Sequence, residues 1–322
     1  MAMNVQGKTA LITGAGSGIN FTFAKVLLSR GCNVVIADLT LRPESEELVR
    51  EYSGEGVKAV FVKTDVADWG ELEQAFEVTI EEFGGVDIVV PGAGIYEPPW
   101  SNFWSPPGSA ESKDDVKNSR YAIMDINLTH PIRLTQLAIA HFLERKKSGT
   151  VVHVSSIAGQ TPFFPTPLYV ASKHAMNGFV RSLGNLEKPP AHIPKIRVNC
   201  VAPARILTPL WTDHPEKLKM VGKAGNWTTP EAVAQVMLDL VEKEEYVGGS
   251  IVEVGKNVRL ISTFNDAGPQ GHGNGLTSIE GYDRDTWESM EKQMGETNGN
   301  GISNGNGSNN GNGTNGRNGN GV

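Results

Sequence analysis

Between residues 151 and 178 the sequence reads VVHVSSIAGQTPFFPTPLYVASKHAMNG, and three of its side chains, Ser156, Tyr169 and Lys173, are of types and spacing that could act on one proton together. Tyr169 and Lys173 stand four residues apart in a stretch of helical periodicity, so a phenol and an ammonium share one helix face. A free phenol ionises at about pH 10. A fixed cation a few ångströms away favours phenolate and brings the group towards the range of a general acid or base. Ser156 closes the β-branched run just upstream, where its hydroxyl can reach the same point. Together the three groups would converge on one substrate oxygen. A Tyr–Lys pair at this spacing is by itself most often a solvated helix pair. Of the six tyrosines, however, only Tyr169 has lysine four residues on, and it follows the strand with the paired serines.

The rest of the chain supplies elements to position these groups. Apolar, β-branched runs predict strands over 7–13, 33–37, 57–63, 86–90, 150–154, 196–201 and 250–254. Helical patterns lie between them over 21–30, 43–52, 69–83, 121–146, 169–186 and 230–244, the last with Thr229 as N-cap and Pro230 in the first turn. Continuous apolar strands alternating with helices predict an α/β fold, a doubly wound parallel sheet of Rossmann type covered on both faces. In such a sheet the ligand crevice lies beyond the carboxyl ends of the strands. Gly14, Asp38, Asp65, Gly92 and Ser156 each follow a predicted strand.

The first strand runs into Thr13-Gly14-Ala15-Gly16-Ser17-Gly18-Ile19. Glycines there allow a tight turn and close approach of a pyrophosphate, which unpaired N–H groups at the helix start attract. Asp38 ends the second strand twenty residues after Gly18, where a carboxylate accepts bonds from an adenosine ribose and repels a 2′-phosphate. NAD is therefore expected in preference to NADP, with Arg42 close enough in sequence to soften the preference. Asp65 falls on the next strand tip, near an adenine edge.

Hydrophobic residues make up 39% of the 322 positions and charged residues 20%, an ordinary balance with ample material for one large core. A net charge of −7 and the lack of a basic run give no reason to expect a nucleic-acid or membrane partner. The two cysteines, Cys32 and Cys200, fall inside apolar strands and suggest buried thiols in a reducing compartment. With neither a signal-like start nor a long apolar run, a cytoplasmic location is expected. No histidine pair has the spacing of a metal site, so no metal is expected. The expected organisation is a folded domain over 1–256 and a C-terminal extension over 257–296, with a helical turn near 287–294. A disordered Asn/Gly-rich tail follows over 297–322.

These residues resemble the short-chain dehydrogenase/reductase family. The matching pieces are TGAGSGI from Thr13, Asp65-Val66, Gly92-Ala93-Gly94, Asn127 in DINL, Ser156, YVASK from Tyr169 to Lys173, and Pro203 with Thr208. The resemblance spans about residues 5–255. Within the family the stretch around Ser156 and Tyr169 looks most like the NAD-dependent hydroxyprostaglandin dehydrogenases. The resemblance implies a secondary alcohol–ketone oxidoreductase with Asn127, Ser156, Tyr169 and Lys173 as catalytic residues. Tyr169 would exchange the proton, Lys173 would lower its pKa and hold the nicotinamide ribose, and Ser156 would hold the substrate oxygen. Asn127 would kink its helix and anchor a water leading to Lys173. Gly14, Ser17, Gly18, Ile19, Asp38, Asp65, Val66, Ala93, Gly94, Tyr169, Lys173, Pro203 and Thr208 would contact the cofactor. Four positions, in three motifs, depart from the family pattern. Asn20 replaces the third glycine of TGxxxGxG, Pro91-Gly92 replaces the two asparagines of NNAG, and Ala204 follows Pro203 where glycine is usual. Asn20 and Pro91 leave open a non-redox isomerase, dehydratase or cyclase of natural-product biosynthesis. A pseudoenzyme that binds a ligand or partner through the aromatics between Gly94 and Asn127 and the Asn/Gly tail is a third reading, against which the intact Asn127, Ser156, Tyr169 and Lys173 argue.

A hydrophobic small-molecule substrate is expected from the connection between Gly94 and Asn127. Its Trp100, Phe103 and Trp104 suit either a ligand wall or packing, with Phe163, Phe164 and residues 207–211 completing a pocket. The resemblance also implies a homodimer or homotetramer through the helices of Asn127 and Tyr169. Leu134, Leu137, Phe142, Phe179, Leu183 and Leu186 are candidates for their outer faces, with burial in the core as the competing role.

Overall fold

The computed structural model describes residues 2–213 and 227–262, together with 287–288, 290–292 and 294. Uninterrupted apolar runs form β1 (Thr9–Thr13), β2 (Asn33–Asp38), β3 (Ala59–Lys63), β4 (Ile88–Val90), β5 (Gly149–Val154), β6 (Ile196–Pro203) and β7 (Ile251–Val254). They pair in parallel in the order β3-β2-β1-β4-β5-β6-β7. β8 (Val258–Leu260), which no apolar pattern announces, adds an antiparallel edge to β7. Its side chains are exposed, and an ion pair at 2.6 Å joins Arg259 to Glu253 directly opposite.

Both faces of the sheet are buried, as the lack of polar alternation requires. Ala10 and Ile12 of β1 join Val34 and Ile36 in one cluster, while Leu11 joins Val35 and Ala37 in another, the period-two signature of a strand. Helices α1 (Gly18–Ser29), α2 (Pro43–Glu51), α3 (Trp69–Phe83), α4 (Ala122–Met124), α5 (His130–Glu144), α6 (Pro167–Ser182), α7 (Pro209–Thr212) and α8 (Pro230–Glu242) complete the fold. Phe23 and Leu27 of α1 and Met237 and Leu240 of α8 pack on the first face; Phe76, Leu134, Phe142 and Met176 of α3, α5 and α6 pack on the second. Local chemistry sets several ends. Asp68 accepts the N–H groups of Gly70 and Glu71 to open α3, and Gly84 closes it at a φ of 76°. Thr229 caps the Ala232 N–H of α8, with Pro230 next to it.

The single helix expected over 121–146 is three segments, because residues Asp125–Thr129 form a π-helical stretch between α4 and α5. Leu134, Phe142 and Leu186 are buried in the core rather than on an outer face, whereas Leu137, Phe179 and Leu183 are half-buried against the same cluster. Trp287 and Met290 pack there too. Most of the stretch read as an extension over 257–296, and all of 297–322, lies outside the described residues. Among the described residues no helix is long and apolar enough to cross a membrane.

Candidate active site

The chain leaves β1 towards β2 on one side and returns to place β4 on the other, so the turns after β1 and β4 meet at the carboxyl edge where the strand order reverses. They meet closely. Gly14 has a φ of +71°, and a Cβ there would lie 2.6 Å from the Ala93 Cα. A Cβ on Gly16 would lie 2.3 Å from the Thr40 carbonyl, so backbone alone fits between the turn and the end of β2. Asp38 is held in place there, its two oxygens accepting the Gly16 N–H at 2.8 Å and the Leu39 N–H at 2.7 Å. Ser17 opens α1 without spending its hydroxyl on a cap. Beneath the turns, the Thr13 hydroxyl oxygen accepts the Gly92 N–H at 2.9 Å and faces His130 Nε2 at 3.0 Å. His130 Nδ1 sits 2.9 Å from the Ile126 carbonyl and must donate to it, which leaves Nε2 as the acceptor. Burial pushes the His130 pKa down to about 4, in keeping with a neutral ring.

Two departures from the family pattern explain one another. Asn20 is 7% exposed and points its amide under the glycine turn, 3.4 Å from both the Thr13 and Gly14 carbonyls. A Cβ on Gly92 would lie 2.4–2.6 Å from three atoms of that amide. The asparagine from α1 therefore fills the space that a side chain at 92 would enter, and glycine at 92 admits it.

At the other end of the crevice, Ser156, Tyr169 and Lys173 come together from the end of β5 and from α6. The Ser156 Oγ accepts the Ala158 N–H at 3.1 Å and interacts with the Tyr169 phenol. Lys173 Nζ donates to the Val154 carbonyl at 2.9 Å and lies 5.5 Å from the Tyr169 ring centroid. The phenol is not lowered as the spacing led one to expect. Burial pushes it up to about 12, with Ser156 pulling the other way. The ammonium is itself lowered to about 8 by burial and is turned to a backbone carbonyl, over the face of the ring. Asn127 stands behind this site, buried in the π-helical stretch, with its amide clamped to both backbone groups of Ile95 at 2.8 Å.

A cavity of about 650 Å³ joins the two ends. It is lined by Gly14, Ser17, Gly18 and Ile19, by Asp38, Asp65 and Val66, and by Ala93 and Gly94. Ser156, Tyr169, Lys173, Pro203 and Thr208 line it as well, so of the expected catalytic and cofactor residues Asn127 alone is outside its wall. Its apolar wall is Tyr96, Ile157, Phe163, Leu210 and Trp211. Trp100, Phe103 and Trp104 are not part of that wall; Trp104 and Phe103 instead form an aromatic cluster with Phe164 outside it. Tyr96 was not anticipated, yet its ring meets Tyr169 edge-on at 4.7 Å and Trp211 at 5.2 Å. Nor was Glu97, a buried acid that accepts the Tyr169 N–H at 2.8 Å. Neither carries a local signal beyond its place just after Gly94.

The residues present fit a dinucleotide. A backbone cradle that a Cβ would fill lies at a helix start, an immobilised carboxylate faces the second strand tip, and one cavity runs from there to the phenol. Among the described residues no group of three or more His, Cys, Asp or Glu is placed to hold a metal ion.

Similarity to known proteins agrees with this geometry. A 15-hydroxyprostaglandin dehydrogenase (NAD(+)) of Rattus norvegicus is 28% identical over 270 residues, 78% of this chain and 92% of its own length. A 3-oxoacyl-(acyl-carrier-protein) reductase of Thermotoga maritima is 28% identical over 78% of this chain and 98% of its own. The crystal structure of a 3-ketoacyl-(acyl-carrier-protein) reductase from Brucella melitensis with NADH superposes with a TM-score of 0.63, at 26% identity, covering 78% of this chain and 98% of that one. The family model described as short chain dehydrogenase matches residues 8–219. With the cradle, the sheet order and the Ser–Tyr–Lys cluster all in place, the chain belongs to the short-chain dehydrogenase family.

Proposed function

We propose that this protein is an NAD(H)-dependent oxidoreductase that interconverts a secondary alcohol and a ketone on a hydrophobic small molecule. The observation that carries the reading is the single cavity shared by Asp38 at one end and Ser156, Tyr169 and Lys173 at the other. The nicotinamide, when bound, supplies or accepts the hydride. The protein's own residues handle the proton and the charge. In reduction, Tyr169 Oη gives its proton to the carbonyl oxygen as the carbon receives hydride, and in oxidation it takes the proton back. Ser156 Oγ donates to the same oxygen and stabilises its developing negative charge. Lys173 sets a positive charge beside the phenolate that reduction leaves, and Asn127 fixes the Ile95 backbone over which the cofactor would lie.

Preference for NAD over NADP rests on Asp38, whose carboxylate is fixed by two amides, and on Arg42, which is paired with Asp213 rather than offered to a phosphate. The name of the rat relative and the NADH in the Brucella melitensis structure support the same cofactor. The apolar wall of Tyr96, Phe163, Leu210 and Trp211 supports a hydrophobic substrate. The case for a non-redox role drew on Asn20 and Pro91, and Asn20 is accommodated by Gly92. A homodimer or homotetramer using the half-buried Leu137, Phe179 and Leu183 belongs to this reading, as does a cytosolic location. The test is titration with NADH and NADPH by fluorescence, followed by turnover of a panel of apolar secondary alcohols. Micromolar NADH binding with weaker NADPH binding, and alcohol-dependent NADH formation, are expected. No binding of either nucleotide would overturn the reading.

A further inference from the structure

Glu97 is unusual in three respects. Its side chain is an acid 4% exposed, its backbone has a φ of +29° without being glycine, and its carboxylate faces a helix start 72 residues further on. α6 begins at Pro167, so Leu168 and Tyr169 belong to the first turn, whose N–H groups have no acceptor within the helix. Thr166, at the N-cap, provides no side-chain cap. Glu97 provides it instead. Its Oε2 accepts the Tyr169 N–H at 2.8 Å, with the Leu168 N–H also turned to the carboxylate. A carboxylate at this pole is favoured by the helix dipole.

The other half of the residue faces its own loop. Oε1 accepts the Phe103 N–H at 3.1 Å, and the Glu97 carbonyl accepts from Asn102 Nδ2 at 3.2 Å. The neighbouring Tyr96 ring meets the Tyr169 ring edge-on, so consecutive residues hold the phenol by its ring and its backbone. Burial pushes the Glu97 carboxyl above the usual carboxylate range while the three N–H groups hold it down. A left-handed φ on a non-glycine residue and a buried acid both cost free energy, and such costs persist where the surrounding structure fixes them.

We propose that Glu97 is a positioning residue: it ties the loop that follows β4 to the first turn of α6 and thereby fixes where Tyr169 presents its proton. The proposal rests on Tyr169 being the proton donor. Three variants separate the tie from general stability. Glu97→Gln keeps the shape, but its one carbonyl oxygen cannot accept from Tyr169 and Phe103 on both sides. Glu97→Ala removes both bonds. Glu97→Gly removes them and also relieves the backbone, so it should melt at a higher temperature than Glu97→Ala.

All three variants should lose kcat by about 10–100-fold, the scale of a misplacement of roughly 1 Å. The substrate KM and NADH affinity should stay within about twofold, because neither binding surface is removed. Amide exchange at Tyr169 should quicken by at least about tenfold in each variant. A kcat within twofold of wild type in Glu97→Gln or Glu97→Gly would overturn the proposal. So would a parallel rise in KM and NADH Kd, or unchanged exchange at Tyr169. Lack of turnover in the wild-type protein would count against the proposed activity instead, and the exchange measurement would still decide whether the tie exists.

Discussion

Replacing Gly92 with alanine tests how the cofactor turn is built. Gly92 is not at a positive φ, so alanine meets no backbone strain there, and the effect isolates one contact. The new Cβ would fall 2.4 Å from Asn20 Nδ2 and 2.6 Å from both Cγ and Oδ1. Rotating the amide cannot clear a contact with all three of its atoms. Either Asn20 leaves its place under the Thr13 and Gly14 carbonyls or the Gly92 backbone retreats from the Thr13 hydroxyl. Overpacking of this kind costs about 1–3 kcal/mol, and displacing the weak amide bonds adds about 1 kcal/mol. For a domain of this size each kcal/mol lowers the thermal midpoint by about 2–4 °C, so Gly92→Ala should melt roughly 4–16 °C below wild type. The expected sign reverses when Asn20 is first changed to alanine. Asn20→Ala removes two long hydrogen bonds and a buried carbonyl oxygen with no partner among the described residues, while gaining helix propensity, so it should stay within about 1 kcal/mol of wild type. In that background the three contacts with the amide are gone, and Gly92→Ala should stabilise by about 0.5 kcal/mol through the unfolded chain. Thermal melts of the four proteins, with NADH titrations on each, complete the cycle. A coupling of about 1.5 kcal/mol or more is expected. Equal destabilisation in both backgrounds, with a coupling below about 0.5 kcal/mol, would refute the paired reading of Asn20 and Gly92.

Tyr169→Phe should abolish alcohol-dependent NADH formation, by about 10²-fold or more, while NADH affinity measured by fluorescence changes little, since only the phenolic oxygen is lost. Asp38→Ser should narrow the NADH-over-NADPH preference by about 10–100-fold in competitive titration, through loss of the charge that repels a 2′-phosphate. The Gly16 and Leu39 amides lose their acceptor at the same time, so NADH binding should weaken as well. Buried His130 predicts a pH dependence of stability, because its pKa is depressed to about 4 from the ordinary 6.5. The unfolded chain therefore binds the extra proton over this window. The stabilisation is complete above pH 6.5 and is lost as pH falls towards 4, by about 3 kcal/mol. Denaturant midpoints from pH 7 to 4 should fall less steeply in His130→Gln than in wild type; parallel curves would assign the acid loss to other groups.

What could be read from the sequence was local. The glycine turn follows a β-branched run and precedes a helix, Asp38 sits at a strand tip, and Tyr169 and Lys173 are one helical turn apart. Each signal spans a few residues of chain, and the doubly wound sheet then carries them to one edge without further information. What was not legible depends on pairs distant in sequence. Asn20 looked like a defect until Gly92 was found beside it. Glu97 has no local signal at all, because its partner is the start of α6, 72 residues further on. The π-helical stretch at Asn127 has no mark in the residue pattern, which keeps an ordinary helical period, and only the family resemblance implied a kink there. The phenol was misjudged for a related reason. Spacing places an ammonium near a ring, but burial and the Val154 carbonyl decide what that ammonium does.

The same comparison separates what must stay fixed in this site from what is free to vary. Ile95 is clamped by Asn127, Tyr96 is packed between Tyr169 and Trp211, and Glu97 binds the start of α6. These three consecutive residues meet Asn127, Trp211 and, from two of them, Tyr169, so the chain cannot shift at one without disturbing the seat of Tyr169 through another. Beyond Glu97 the contacts change character. Trp104 donates through Nε1 to the Phe164 carbonyl at 3.2 Å and meets at a tilt a Phe164 ring that is 78% exposed. The place of the phenol therefore rests on the three anchored residues, and through the Phe103 N–H on Glu97 it is coupled to the aromatic loop as well, so a change in that loop reaches Tyr169 through one carboxylate.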